Sequence, residues 1–172
     1  MRILLLALAL AACSPASTTS EPAPETAAAN EAAVNVDAAA LGASPHPGAW
    51  TFRVDEGTHA AGFGPPESEY LLTIVCEAPS GKLTLTSSHE LSPDQDTTLR
   101  IITAVQTLDL PARSFNEGLP SVNAEVLDDA PAKIPLISML GAPTDRFAIE
   151  VGGEAMVFPW DESIAQALTA CR

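Results

Sequence analysis

Positive charge is scarce in this 172-residue chain: eight Lys and Arg stand against 22 Asp and Glu, a formal charge of −14. A surface that neutralises phosphates needs clustered cations, so nucleic acid is excluded as a partner. Glycine (10) is outnumbered by proline (15), a balance that excludes collagen and argues against a long coiled coil. No apolar run reaches the roughly 18–20 residues a helix needs to span a bilayer. GxSxG, SxxK, CxxC, HExxH and HxxxH are all missing. The common acyl-transfer, redox and zinc signatures are therefore absent, and no catalytic residue, metal site or cofactor is expected.

What is present begins at the N-terminus. Arg2 precedes a short apolar run, Ile3 to Ala12, of the length of a signal h-region. The run ends in Leu10-Ala11-Ala12-Cys13, which resembles the bacterial lipobox. The resemblance implies that residues 1–12 are a cleaved lipoprotein signal peptide and that Cys13 carries lipid. Each buried CH2 contributes about 0.8 kcal/mol, so two or three acyl chains anchor stably where one does not. In that class an Asp after the Cys retains the protein at the inner membrane. Ser14 therefore implies the outer membrane of a Gram-negative envelope, with the folded part facing the periplasm.

Residues 14–45 are mainly Ala, Pro, Ser, Thr and Glu, with no aromatic and no Lys or Arg. They cannot bury enough apolar surface to offset their ordering entropy, so 13–45 reads as a disordered tether. Its acids, Glu21, Glu25, Glu31 and Asp37, favour solvation and spacing. One stretch could form a transient helix, from Asn30 as N-cap through Leu41 to Gly42.

From His46 onward the pattern changes. Trp50, Phe52 and Val54 share one face of a half-buried strand, and Asp55-Glu56-Gly57 turns the chain back through His59 to Phe63. Leu72, Ile74 and Cys76 alternate, as do Leu83 and Leu85. Residues 97–110 form one or two strands, and 122–127 another. Gly152-Gly153 makes a two-residue hairpin turn that opposes Phe147 to Phe158 and Ile149 to Met156. A short helix fits 134–140, with Pro135 confined to its first turn and Gly141 ending it. A last helix, 161–171, takes Asp161 as N-cap and carries the stripe Ile164, Ala167, Leu168, Cys171. The expected fold of 46–172 is mainly β (α+β): an antiparallel sheet, sandwich or small open barrel with these two helices.

With Cys13 lipidated, Cys76 and Cys171 remain. An even pair in an exported chain normally bonds, and a bridge would pin the last helix to the sheet. The rival, a metal pair or a reactive thiol, lacks neighbouring ligands at the required spacing. Gly57 to Gly64 opens like a P-loop but has no Lys-Ser/Thr, and Pro65-Pro66 forbids the helix, so it reads as strand and turn. Asp94-Gln95-Asp96 opens like a calcium loop, yet Leu99 and Val105 stand where Gly and an acid belong, so a solvated turn is expected. Glu67/Glu69 and Asp128/Asp129 read as exposed loop charge, His46 as the end of the tether and His89 as part of a polar loop. Trp50 and Trp160 read as core anchors. Tyr70 has no distinguishing context.

The run Phe63-Gly64-Pro65-Pro66-Glu67-Ser68-Glu69, followed by Leu72 and Cys76 and closed by Pro159-Trp160 and Cys171-Arg172, resembles small lipoproteins of alphaproteobacteria. The likeness covers most of residues 50–172, and that family implies no activity. A second resemblance is to the membrane-bound lysozyme inhibitors, small β-rich lipoproteins with a disulfide. Their Ser-Gly-x-x-Tyr loop is missing, since Ser80-Gly81 is followed by Lys82-Leu83-Thr84. The expected function is a non-catalytic binding or structural module of the envelope, held by membrane lipid through acylated Cys13 and meeting an envelope protein, peptide or small ligand. The alternatives are a small envelope enzyme and a lysozyme-inhibitor-like protein that attracts a cationic partner through its acidity.

Overall fold

The computed structural model describes residues 39–116 and 118–172. The signal segment, Cys13, and the part of the tether up to residue 38, including the Asn30 cap, lie outside the described residues.

Alternation of apolar and polar residues produces nine strands. They are β1 (Ala49–Asp55), β2 (Thr58–Gly64), β3 (Leu72–Glu77), β4 (Lys82–Ser87), β5 (Asp96–Ile102), β6 (Thr107–Phe115), β7 (Ser121–Val126), β8 (Arg146–Val151) and β9 (Glu154–Pro159). Two helices follow β7 and β9: α1 (Lys133–Leu140) and α2 (Glu162–Thr169). All strand pairs are antiparallel, in the order β1-β2-β3-β4-β7-β6-β5-β8-β9. The sheet curls into a half-barrel. The mainly β expectation therefore holds, with both helices present.

Several local signals act as the sequence dictates. The hairpin β8–β9 opposes Phe147 to Phe158 and Ile149 to Met156. Its turn needs positive φ at two successive residues, which Gly152 (61°) and Gly153 (86°) supply at no steric cost. Residues 97–110 divide into β5 and the start of β6. Thr103 closes the turn between them, its backbone N–H and its hydroxyl both donating to the Gln106 carbonyl. Pro135 sits in the first turn of α1, where the missing N–H costs nothing. Asp161 caps α2 by accepting from the Ser163 N–H at 2.9 Å.

The inner face of the curl is continuous and apolar. Leu72, Ile74, Leu83, Leu85, Leu99, Ile101, Val122 and Ile149 are all fully buried there, with Leu136 and Leu140 of α1 and Ile164 and Leu168 of α2 packed onto them. Burying each such side chain contributes about 1.5–3 kcal/mol. Curling brings the first strands against the last. Phe63 meets Phe158 edge-on at 5.4 Å, Trp50 lies 6.3 Å from Phe147, and the Trp50 indole N–H donates to the Pro159 carbonyl at 2.8 Å. The Trp160 N–H donates to the Leu140 carbonyl at 2.8 Å and ties α1 to the end of β9. Both tryptophans thus anchor the core from partly buried positions.

The outer face carries charged side chains, and cations there are held across strands. Arg100 on β5 forks onto Asp109 on β6 (2.7 and 3.2 Å) and reaches Glu150 on β8 (3.6 Å). That guanidinium holds the Asp109 carboxyl below the usual carboxylate range. Lys82 on β4 lies between Glu77 on β3 (3.0 Å) and Glu125 on β7 (3.8 Å).

Three expectations need correction. Phe52 and Val54 do share the core face with Trp50, but they are 38% and 55% exposed, because β1 is an edge strand with no neighbour on its free side. The last helix ends at Thr169, so Cys171 lies just beyond it in a tight turn, its N–H donating to the Leu168 carbonyl. Packing starts ahead of His46: residues 39–41 are helical, and Ala40 and Leu41 cover Ile102, Ala148 and Val157 on the outer face. His46 itself donates its backbone N–H to Val157 and stacks near Phe158.

Candidate functional site

His89 lies in the polar connection between β4 and β5, as expected, but its side chain is buried. It is 3% exposed and follows Ser87, which is fully buried at the end of β4. Its Nε2 lies 3.1 Å from the Glu154 carbonyl oxygen, which can only accept, so the ring proton is assigned to Nε2. Nδ1 then accepts from the Ser87 hydroxyl at 3.0 Å. This is a serine–histidine pair, but both members are sealed beneath the surface. Its geometry fastens the end of β4 to the tip of the β8–β9 hairpin. Burial pushes the His89 pKa down, and the Glu154 carbonyl opposes this only in part.

A lowered folded-state pKa means the unfolded chain binds the proton more readily. The His89 contribution is therefore complete above the unfolded value of about 6.5 and is lost as pH falls below it, by up to about 1.4 kcal/mol per pH unit. Urea unfolding of wild type and His89→Gln between pH 7.5 and 5 is expected to show a steeper loss for wild type. Parallel pH curves would remove the linkage.

The Sγ atoms of Cys76 and Cys171 lie at disulfide distance, 2.04 Å, with Cα atoms 5.8 Å apart. Both residues are buried. They join β3 to the turn after α2. Beside them runs a groove of about 450 Å³ between α1 and the C-terminal turn. Its walls are Ile134, Ile137, Ser138, Cys171 and Arg172, with the Asp128–Lys133 ion pair at one end. Asp128 is exposed loop charge, as expected, and it partners a Lys that is buried. Helix α1 is apolar on its outward side as well as its inward one, and Ile134 is 80% exposed.

A second concavity, about 410 Å³, opens on the outer face of β3, β4 and β7. The outward positions there are hydroxyls: Thr73 on β3, Thr86 and Ser88 on and after β4, and Ser121 on β7. The segment Ser68–Leu71 forms one wall. It is fixed by the Leu71 N–H donating to Phe63 (2.7 Å) and by the Ser88 N–H donating to the Leu71 carbonyl (3.0 Å). The Tyr70 ring lies against β2 so closely that a Cβ at Gly62 would come 2.8 Å from it and push it aside. The Tyr70 hydroxyl bonds the Thr51 hydroxyl at 2.8 Å. Asn123, which faces Thr86 across β4 and β7, carries a buried side-chain oxygen with no hydrogen-bond partner among the described residues.

Cys13 lies outside the described residues, whereas Cys76 and Cys171 come together. Asp94 and Asp96 form an exposed turn paired with Arg113 at 3.4 and 3.6 Å. Among the described residues no group of three or more His, Cys, Asp or Glu is placed to hold a metal, and no helix is long and apolar enough to cross a membrane. The hydroxyl cleft escaped the sequence reading. Its one signal is the run Thr84, Thr86 and Ser88 at period two, which marks an outward face but not a concavity. Comparison with family models, with curated proteins and with solved structures finds no match to this chain.

Proposed function

We propose that this chain is an exported protein of a Gram-negative envelope, anchored by lipid at Cys13 in the outer membrane, whose folded part is a non-catalytic binding module facing the periplasm. The observation that carries the reading is the buried Cys76–Cys171 pair at disulfide distance. Such a pair persists bonded in an oxidising space and is kept reduced in most cytosols. It agrees with the lipobox at Leu10 to Cys13, which would deliver the chain to that space. Binding rather than catalysis is favoured by the surfaces on offer. One of the two clefts described is lined by Ile134, Ile137, Ser138 and Cys171 with Lys133 and Arg172 beside Asp128, the other by hydroxyls, two carboxylates and Tyr70, while Ser87 and His89 are enclosed.

Fractionation of cells producing wild type and Cys13→Ser tests the anchor. Wild type is expected in the membrane fraction, released by detergent and not by salt. The variant is expected to lose membrane association almost entirely, since no other segment supplies acyl chains. A variant that stays membrane-bound would sink the proposal.

A further inference from the structure

We propose that the cleft on the outer face of β3, β4 and β7 is a binding site for a neutral oligosaccharide. This rests on the reading of the folded part as a binding module and names the ligand class for it. Sugars are held by two features together: a rigid aromatic or apolar surface for the C–H face of the ring, and a dense set of donors and acceptors for its hydroxyls. The cleft supplies both. Tyr70 is the platform. Its ring is seated on Gly62 and its hydroxyl is tied to Thr51, so little side-chain entropy remains to be lost on binding. Leu119 and Pro120 form the apolar wall opposite.

Between these walls stand the hydroxyls of Ser68, Thr73, Thr86, Ser88 and Ser121. Each can donate or accept, which suits a ligand whose own groups do the same. Glu69 and Glu90 add carboxylates, strong acceptors for sugar hydroxyls. No Lys, Arg or His lines the cleft among the described residues, so its chemistry disfavours an anionic ligand. The hydroxyls, which outnumber the two carboxylates, suit a neutral polyol, whose groups both donate and accept, better than a cation, which only donates. The volume, about 410 Å³, accommodates a small ligand and lies within the range usual for such sites.

The experiment is calorimetric titration of the full-length mature chain with chitotetraose, cellotetraose, maltotetraose and, as the competing cation, tetralysine. Saturable binding of at least one tetrasaccharide, little changed by salt, is expected. Thr86→Val keeps the side-chain shape and removes one hydroxyl, and should weaken binding about 3–10-fold. Tyr70→Ala should weaken it by about tenfold. Tyr70→Phe keeps the ring on Gly62 and should stay within about twofold. Thermal melts of each variant separate lost binding from lost folding, and Thr86→Val carries the test if Tyr70→Ala unfolds. No tetrasaccharide binding at about 10 mM, salt-sensitive binding of tetralysine alone, or binding unaffected by Thr86→Val would each overturn the assignment. None of those results touches the Cys13→Ser fractionation, so the anchor and the ligand class stand or fall separately.

Discussion

Replacing Cys76 and Cys171 together with alanine is expected to lower the unfolding free energy by about 2–5 kcal/mol, with a fall in Tm of about 10–15 °C. The two residues are 95 apart in sequence, so the bridge closes most of the folded region into one loop. In the chain-entropy account a loop of that length is worth about 4–5 kcal/mol, because the unfolded chain loses the conformations in which its ends are apart. Alanine avoids burying two serine hydroxyls at fully enclosed positions. The loss is large against the roughly 5–15 kcal/mol that holds a domain of this size together. Urea unfolding of the wild-type protein with and without reductant should reproduce the same difference. If oxidised and reduced wild type unfold at one midpoint, and the thiol count on denatured protein is the same in both, the pair is not bonded and the envelope reading loses its main support.

The bridge also shows where a sequence is easily read. Cys76 alternates with Leu72 and Ile74, so its place on the inner face follows from period two alone. Cys171 continues the stripe of Ile164, Ala167 and Leu168, and it stays buried even though the helix ends two residues earlier. The Gly152-Gly153 turn set the whole β8–β9 register, because a two-residue loop leaves one pairing that buries both phenylalanines. Asp161 and Pro135 mark helix starts for reasons local to each residue. Signals of this kind span a few residues and need no knowledge of the rest of the chain.

The site was less legible because it is assembled from distant segments. Tyr70, Ser88 and Leu119 belong to three different connections, and only the pairing of β4 with β7 brings the last of them near the others. That pairing skips two intervening strands, a choice no local pattern encodes. The burial of His89 is hidden for a related reason. Its neighbours Ser88, Glu90 and Ser92 are polar, which suggests a solvated loop. What buries it is Glu154, whose carbonyl arrives from 65 residues away. Phe52 and Val54 erred in the opposite sense: alternation placed them on the correct face, but nothing in their spacing says that β1 stands at the edge.

That edge is where the second large effect arises. Phe158→Ala is expected to cost about 3–5 kcal/mol, measured by urea unfolding, whereas Phe52→Ala should cost less than about 1 kcal/mol. Phe158 is fully buried and touches aromatic rings from both ends of the sheet: Phe63 at 5.4 Å, Phe147 at 5.7 Å and His46 at 6.0 Å. Truncation loses the transfer free energy of the ring and leaves a cavity that three separate segments must relax to fill. Phe52 is on the same face but open to water, so its removal creates no enclosed void. The Trp50 indole bonds Pro159, the residue after Phe158, and its fluorescence therefore reports on the same junction. In Phe158→Ala the native emission should shift to the red while the far-ultraviolet circular dichroism stays strand-like, because β1 loses its seat against β9 before any strand pair is broken. Equal losses for Phe158→Ala and Phe52→Ala, with Trp emission unchanged in both, would mean that the curl of the sheet is held by its hydrogen-bonded strands and not by the aromatic contact between its first and last members.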